Sequence, residues 1–405
     1  MPYIARTLEP VLHKAALEFP AVVLTGARQC GKTTLLQHLF GNTHRYVSME
    51  TPDVRAAALS DPRGFLEAAG TPLIVDEVQY APDLLPYIKE KIDAHRSLHG
   101  QYLLTGSQHP LLAERVSESL AGRAAVLRLM PLSVPELAGQ AKTEFVWQRG
   151  AEAVVPMQFS YRAIWQQLVR GFYPELAAEP DRDAWLWHAG YVQTYLERDV
   201  RSLRQVGDLT SFQAFLRSVA ARSGQLLNIS DVARDLGVSV NTAKAWLSVL
   251  EATFQVAIIR PYFANIGKRL VKTPKVYFTD TGTLCYLTGL RDPAHAAAGP
   301  LAGAIFETAV VGEIVKRLAA RGGEAGVYFW RTAAGAEVDF LVEDSGRLIP
   351  IEVKTTATPL PSMGDAIRQL RRELGDLAAP GFVIHPGDIR LPLGSGVTAV
   401  PFAAL

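Results

Sequence analysis

Residues 26–33 read G-A-R-Q-C-G-K-T, directly behind the apolar run Ala21–Thr25 and leading into Thr33–Phe40, whose apolar residues recur at helical intervals. No other stretch restricts the fold as much. A short unbroken apolar run marks a buried parallel strand, so the order is strand, glycine loop, helix. Gly26 and Gly31 permit backbone angles that turn successive N–H groups toward one point, and the helix adds the positive end of its dipole. That arrangement cradles phosphate. Gly26, Ala27, Arg28, Gln29, Cys30, Gly31, Lys32, Thr33 and Thr34 are the expected ATP-binding set. Lys32 reaches the β- and γ-phosphates, and the Thr33 hydroxyl ligates Mg²⁺. The competing reading is a glycine turn with a surface lysine, and the flanking strand and helix speak against it.

Hydrolysis needs a second, acidic element at a neighbouring strand end, and P-L-I-V-D-E at residues 72–77 supplies it. Asp76 suits the Mg²⁺ ligand, and Glu77 suits the group that orients or deprotonates the attacking water. Either acid alone would serve as a helix cap; both together behind an apolar strand favour catalysis. A third apolar run, Gln101–Thr105, ends in G-S-Q. Thr105, Ser107 and Gln108 are therefore candidates for sensing the γ-phosphate, with Ser107 counted in the ATP site, although polar residues after strands also form turns. The expected activity is Mg²⁺-dependent ATP hydrolysis, with Lys32 and Glu77 catalytic.

The order G-A-R-Q-C-G-K-T-T, L-I-V-D-E-V-Q, L-L-T-G-S-Q, L-A-G-R-A-A-V-L-R-L-M-P-L-S resembles the AAA-like ATPases of bacteria and archaea that carry a C-terminal domain of unknown function. The resemblance makes Arg123 the leading candidate for an arginine that answers nucleotide state, with Arg128 and Arg115 behind it. If Arg123 acts on a neighbour's nucleotide, a homo-oligomer is required. Y-L-E-R-D-V at residues 195–200 extends the resemblance. Tyr195, Arg198 and Asp199 are candidates to relay nucleotide state, against a packed helix with an internal ion pair. His188 has no partner at metal-ligand spacing and reads as structural.

Further along, Ser230 is placed to cap D-V-A-R-D-L, Gly237 to make a turn, and Ser239 to cap a second helix. This is a helix-turn-helix in which Val240, Ala243, Trp246, Leu247 and Leu250 face the core. Asn241, Thr242, Lys244, Ala245 and Ser248 face outward as a base-reading set. Two strand-like runs around a turn at 265–267 complete a winged helix. Arg260, Lys268, Arg269, Lys272 and Lys275 form a basic segment suited to DNA phosphates. Winged helices also dock proteins, so DNA and protein partners both stay open.

After an Ala/Gly/Pro connector, Glu307 lies in the first turn of an amphipathic helix, Asp339 in E-V-D-F, and Glu352 and Lys354 in I-E-V-K. This arrangement resembles the PD-(D/E)XK nuclease superfamily. Asp339 and Glu352 alternate with apolar neighbours, so a hairpin can point both to one face. With Glu307 they are the expected ligands of Mg²⁺ or Mn²⁺, and Asp339, Glu352 and Lys354 the expected catalytic set for DNA cleavage. No proline precedes the first acid of the motif, a departure from the superfamily pattern. Arg331, Glu337 and Gln369 are supporting candidates.

A chain of 405 residues is too long for one ordinary core. The expected fold is α/β: a P-loop ATPase domain with a parallel sheet at 1–140, a helical linker at 141–224, a winged helix at 225–292 and a restriction-endonuclease-like α/β domain at 293–405. The formal charge of +1 gives no general pull toward nucleic acid, so a DNA surface must be local. Two cysteines, Cys30 and Cys285, exclude a disulfide framework and suit a reducing compartment, hence the cytoplasm. No leader-like segment or membrane span is expected. Two functions compete: an ATPase that couples nucleotide state to DNA binding and metal-dependent cleavage, and a nucleotide-controlled switch whose nuclease-like part is catalytically silent.

Overall fold

Five strands in the first third form one parallel sheet: β1 (Ala21–Gly26), β2 (Arg45–Ser48), β3 (Leu73–Asp76), β4 (Tyr102–Gly106) and β5 (Ala124–Leu129), in spatial order β2-β3-β4-β1-β5. The computed structural model describes residues 2–106, 115–116, 118–141, 144–148, 160–196, 209–262, 273–323, 326–332 and 335–405, without the side chains of 195 and 196. Strands β1, β3 and β4 are buried along their whole length, which explains their continuous apolar sequence. Helices α1 (Glu9–Glu18) and α2 (Lys32–Phe40) cover one face, packing Leu12, Leu35 and Leu36 on Val22, Leu24 and Leu103. Helices α3 (Pro52–Ser60), α4 (Pro62–Ala69) and α5 (Leu84–Ala94) cover the other, packing Ala58, Leu66 and Ile88 on Val23, Val75 and Leu104. The strand order inserts β4 between β1 and β3, so the carboxyl ends of all three meet at one rim.

The chain continues through α6 (Val134–Leu137), α7 (Tyr161–Arg170), α8 (Pro174–Ala178), α9 (Ala184–Tyr191), a π-helical turn at Val192–Leu196, and α10 (Leu209–Ala221). Then come α11 (Ile229–Asp235), α12 (Val240–Ala252) and the antiparallel strands β6 (Val256–Pro261) and β7 (Lys275–Phe278). Asn228, rather than Ser230, caps α11 by accepting from the Ser230 N–H, while Ser239 caps α12 as expected. On α12 the core takes Ala243, Trp246, Val249 and Leu250; Val240 is exposed because the first turn projects beyond the core. Asn241, Lys244 and Ser248 are exposed, while Thr242 and Ala245 are half-buried.

Helices α13 (Thr281–Leu287), α14 (Pro293–Ala298) and α15 (Ala302–Ala319) precede β8 (Val327–Arg331), β9 (Glu337–Asp344), β10 (Arg347–Val353), α16 (Asp365–Leu374), β11 (Gly381–His385), β12 (Leu391–Gly394) and β13 (Val397–Pro401). The β9–β10 hairpin turns on Ser345 and Gly346, both at positive φ (52° and 76°), the pair of angles a type I′ turn requires. Strand β6 also pairs with β8 through Arg260 and Pro261. The hairpin after the helix-turn-helix is therefore the end of one eight-stranded sheet, β12-β13-β11-β10-β9-β8-β6-β7, and not a free wing. Pairing β6 with β8 satisfies backbone groups that an open edge would leave exposed. Helices α7 to α15 share one core with this sheet, in which Trp165, Phe212, Phe215, Tyr277, Phe306 and Phe340 are fully buried, while α16 packs Ile367 and Leu370 in two smaller clusters.

Helix α15 is buried on nearly every side and reaches the ATPase rim. Its Glu313 accepts a 2.9 Å bond from the Val134 N–H, and its Lys316 donates to Leu132 O while lying 4.0 Å from the Phe172 ring centroid. In the same turn, Ser133 caps α6 and Glu136 accepts from the Ser133 and Thr7 N–H groups and pairs with Arg6 at 3.3 Å. Arg6 donates onward to Cys30 O at 2.9 Å and Met130 O at 2.6 Å. Burial alone would raise the Glu136 carboxyl; Arg6 and the Ser133 and Thr7 donors outweigh it and hold it below the usual range.

Arg6→Ala leaves a buried carboxylate without its charge partner and should cost about 3–5 kcal/mol in urea denaturation at neutral pH. A lowered carboxyl contributes stability above its unfolded value and loses it as pH falls, so the penalty should shrink on acidification as Glu136 is protonated in both proteins. A penalty independent of pH would assign the loss to the two carbonyl contacts alone.

Candidate functional site

At the shared strand rim, backbone geometry fixes the glycine loop. A Cβ on Gly26 would stand 2.0 Å from Leu129 O, so only glycine fits between β1 and β5. Gly31, at φ 92°, starts α2 with no side-chain cap and no acid in the first turn, leaving the helix's first N–H groups directed into the loop. Lys32 is buried and folds back onto the loop, donating to Gly26 O (3.2 Å) and Ala27 O (3.0 Å). Thr33 Oγ1 donates to Asp76 Oδ1 at 2.8 Å, and Thr105 donates to the same oxygen. Tyr46, from β2, donates to Asp76 Oδ2 at 2.8 Å; burial first and Asp76 second push its phenol up to about 12. Glu77 sits at φ 55°, its N–H on Thr105 Oγ1 at 2.9 Å and its carboxylate accepting from the Gln79 amide.

Two clefts flank the loop. One of about 370 Å³ is lined by Tyr3, Ile4, Gln29, Gly31, Thr34 and Leu132; the other, about 350 Å³, runs from Gln29 to Arg182, Trp187 and Tyr191. The first is of ligand-pocket size and opens beside the start of α2. The N–H-rich loop, Lys32 and the Thr33–Asp76 pair fit a nucleoside triphosphate with its Mg²⁺. Cys30 is buried, and burial raises its thiol, so its contribution is its backbone.

A second cluster lies where α15 crosses β7, β9 and β10. Glu307 accepts from Lys275 Nζ (3.2 Å) and the Tyr277 hydroxyl; Lys275 also pairs with Glu337 at 2.7 Å. Asp339 accepts from the Val353 N–H at 2.8 Å, and Lys354 pairs with Glu352 at 2.6 Å. Buried Glu352 Oε1 has no hydrogen-bond partner. Burial first, then Asp339, pushes Glu307 up to about 7 and Glu352 up to about 8; burial likewise raises Asp339. Burial would lower the Lys275 ammonium, but Glu307, Glu337 and Asp339 outweigh it. Among the described residues no group of three or more His, Cys, Asp or Glu side chains is placed to hold a metal ion. One oxygen of Glu352 is thus left without a partner, and the three carboxylates repel one another.

Comparison with known proteins bears on both clusters. A model described as an AAA domain matches residues 18–138, and models for two domains of unknown function, DUF8612 and DUF4143, match 161–294 and 302–405. Over 399 residues the chain is 34% identical to the uncharacterized protein Rv2008c of Mycobacterium tuberculosis, covering 98% of this chain and 82% of that protein. The chain belongs to this family of AAA-type P-loop ATPases. Uncharacterized protein Mb2031c of Mycobacterium bovis matches with the same values. Among solved structures, the Walker-type ATPase PABY2304 of Pyrococcus abyssi aligns at 16% identity and a TM-score of 0.43, covering 70% of this chain and 96% of that one. An AAA-type P-loop ATPase binds and hydrolyses ATP, and among the described residues no helix is long and apolar enough to cross a membrane.

Within this ATPase the structure brings Lys32, Thr33, Asp76, Glu77 and Thr105 together, and Glu307, Asp339, Glu352 and Lys354 together. Arg123 is elsewhere. It is held by Asp93 (2.7 and 2.9 Å) at the start of β5, whose first residue pairs with Ala21, at the end of β1 away from the loop. A six-residue strand puts about 20 Å between them, so Arg123 is no part of its own chain's nucleotide site. Arg128, opposite Thr25, lies nearer, and Arg115 is exposed. Lys275 is also corrected: it is buried in the acid cluster, not displayed for phosphate contact. Gln369, half-buried on α16, bonds to Glu373. His188 is structural as expected, bonded to Arg170 O. Ser107, Gln108, Arg198, Asp199, the turn at 265–267, Lys268, Arg269 and Lys272 lie outside the described residues, as does the Tyr195 side chain. Tyr46, Gln79, Arg6 and Tyr277 were not found from sequence; only Gln79, in D-E-V-Q, stood inside a motif.

Because Glu307 and Glu352 carry raised values in the fold, the stability they permit is present below the ordinary carboxylate range and lost as pH rises toward about 8. In chelator, melting temperature should fall across that window, and Glu352→Gln should flatten the fall. Identical pH profiles for the two proteins would contradict this.

Proposed function

We propose that this ATPase couples nucleotide state to the acid cluster, and that the cluster acts on DNA phosphodiesters. The observation that carries the reading is the physical link between the two: α15 brings Glu307 to the acids and, two turns later, takes the Val134 N–H on Glu313 beside the Arg6–Glu136 pair that supports the loop. At the nucleotide end, the Lys32 ammonium leaves the loop carbonyls for phosphate oxygens, and the loop N–H groups and the start of α2 hold the rest. Thr33 and Asp76 would hold Mg²⁺, which offsets the charge developing on the transferred phosphoryl group. Glu77 orients the water, its backbone set by Thr105. The 370 Å³ cleft between the N-terminal residues and α2 suits the nucleoside.

At the other end, Glu307, Asp339 and Glu352 would hold Mg²⁺ or Mn²⁺, and Lys354 offsets charge on the attacked phosphate. The exposed Asn241, Lys244 and Ser248 on α12, with Arg260 at the end of β6, are suited to DNA contact as part of a winged-helix-like unit. The four-part division at 1–140, 141–224, 225–292 and 293–405 is part of this reading, as is a homo-oligomer in which Arg123 serves a neighbour. A silent cluster is the second reading. It is favoured by Lys275, which already pairs with Glu307 and Glu337 and would let the unit recognise DNA or protein without cutting.

Purified protein incubated with linear, circular and single-stranded DNA in Mg²⁺ or Mn²⁺, with and without ATP, separates these readings. Lys32→Ala should lose ATP binding, and Glu77→Ala should bind ATP yet hydrolyse it about 10²–10⁴-fold more slowly. Asp339→Ala should hydrolyse ATP but leave DNA intact. DNA uncut under all conditions, with ATP-sensitive binding that survives Asp339→Ala and Glu352→Ala, would establish the switch instead.

A further inference from the structure

Glu77, directly after β3, has φ 55°, a left-handed backbone that a residue with a Cβ seldom adopts. Three contacts hold it there. Its N–H donates to Thr105 Oγ1 at 2.9 Å, its carbonyl accepts from the Tyr80 N–H at 3.1 Å, and its carboxylate Oε2 accepts from the side-chain amide of Gln79. The tight turn that carries Gln79, Val78–Tyr80, is itself anchored. Val78 and Ala81 are fully buried in the core beneath α3, α4 and α5, and the Ala81 N–H closes onto Val78 O at 3.0 Å. Gln79 therefore reaches Glu77 from a fixed backbone.

The hydroxyls at this rim are directed to the other acid. Thr33, Thr105 and Tyr46 have one hydroxyl proton each, and all three go to Asp76, those of Thr33 and Thr105 to Oδ1 and that of Tyr46 to Oδ2. Thr105 gives its proton to Asp76 and takes the Glu77 N–H, which joins the two acids but leaves it nothing to donate to the Glu77 carboxylate. Lys32 is turned onto Gly26 O and Ala27 O. Among the described residues the donor on that carboxylate is Gln79.

An acid that orients or deprotonates water needs one oxygen aimed at the water and the plane of the carboxylate held still. A bond at Oε2 does the second and leaves Oε1 for the first. The amide suits the task. Facing a carboxylate it presents its N–H, since its own oxygen would be repelled, and it carries no charge. It thus holds the acid without cancelling the negative charge that draws the water proton, as an ammonium would. We propose that Gln79 is a positioning residue for ATP hydrolysis, clamping Oε2 of Glu77 so that Oε1 meets the attacking water. This rests on the role of Glu77 proposed above. Gln79 acts through Glu77 rather than on the nucleotide.

ATP hydrolysis and nucleotide binding, measured side by side on the full-length protein, test the clamp. Gln79→Met keeps the length of the side chain and removes the donor. Its kcat should fall about ten- to hundredfold, while KM, the affinity for a fluorescent non-hydrolysable ATP analogue and the melting temperature stay close to those of the parent. Gln79→Glu, similar in shape but repelling Glu77, should lose at least as much. The double variant decides the route: if Gln79 acts through Glu77, Gln79→Met should slow Glu77→Ala no further, whereas a loss through folding or through the nucleotide would add to it. Gln79→Met that hydrolyses at the parent rate or faster, that loses analogue binding, or that slows Glu77→Ala by its full factor overturns the clamp while the role of Glu77 stands. Glu77→Ala that hydrolyses like the parent removes that role, and the clamp falls with it.

Discussion

A glycine loop that turns its N–H groups toward phosphate must turn carbonyls the other way, and in this chain those carbonyls are held from behind. Arg6 takes Cys30 O, and Lys32 takes Gly26 O and Ala27 O. The second arm of Arg6 reaches Met130 O, just after β5, and its charge meets Glu136. One buried guanidinium thus ties the loop, the strand beside it and the first turn after the sheet. Its partner Glu136 is fixed by backbone donors from Thr7 and Ser133, and Val134 between them passes its N–H to Glu313. This short polar seam, Lys316 on Leu132 O, the Leu132 N–H on Phe172 O and the packing of Phe254 and Ala320 on the sheet core together join the rest of the molecule to the ATPase sheet.

The two clusters are opposites in charge. Around the loop, backbone N–H groups, a helix start and Lys32 converge, with Asp76 already surrounded by three hydroxyls from Thr33, Tyr46 and Thr105. In the second cluster Glu307, Glu337, Asp339 and Glu352 gather around Lys275 and Lys354, and burial with mutual repulsion drives the carboxyls of Glu307, Asp339 and Glu352 upward. The first cluster gathers donors and positive charge; the second gathers carboxylates around two ammonium groups.

What could be read from the residues was what lies close together along the chain. The loop and its flanks, D-E behind an apolar strand, and the two capped helices at 229–252 each occupy a single window, where spacing and local backbone preference are visible. The order of acids Glu307, Asp339, Glu352 with Lys354 was legible because α15 and the β9–β10 hairpin follow one another. Arg6, Tyr46 and Lys275 were not, because their roles depend on partners 24 or more residues away that leave no periodic trace. Arg123 shows the same limit from the other side: residue type suggested a nucleotide-facing arginine, but which end of β5 it occupies follows from parallel register with β1. The joining of β6 to β8 depends likewise on an edge that no local pattern advertises.

That joint has a bearing on how such a protein can be inherited. A chain that exchanged its last hundred residues for a foreign segment would present β6 with an unfamiliar neighbour, and Arg260 and Pro261 would have to find a strand of matching twist and length. Lys275 and Tyr277 would then lie opposite whatever the newcomer brought in place of Glu307 and Glu337. Lineages that recombine here should keep the segments matched by DUF8612 and DUF4143 together and vary the ATPase end more freely.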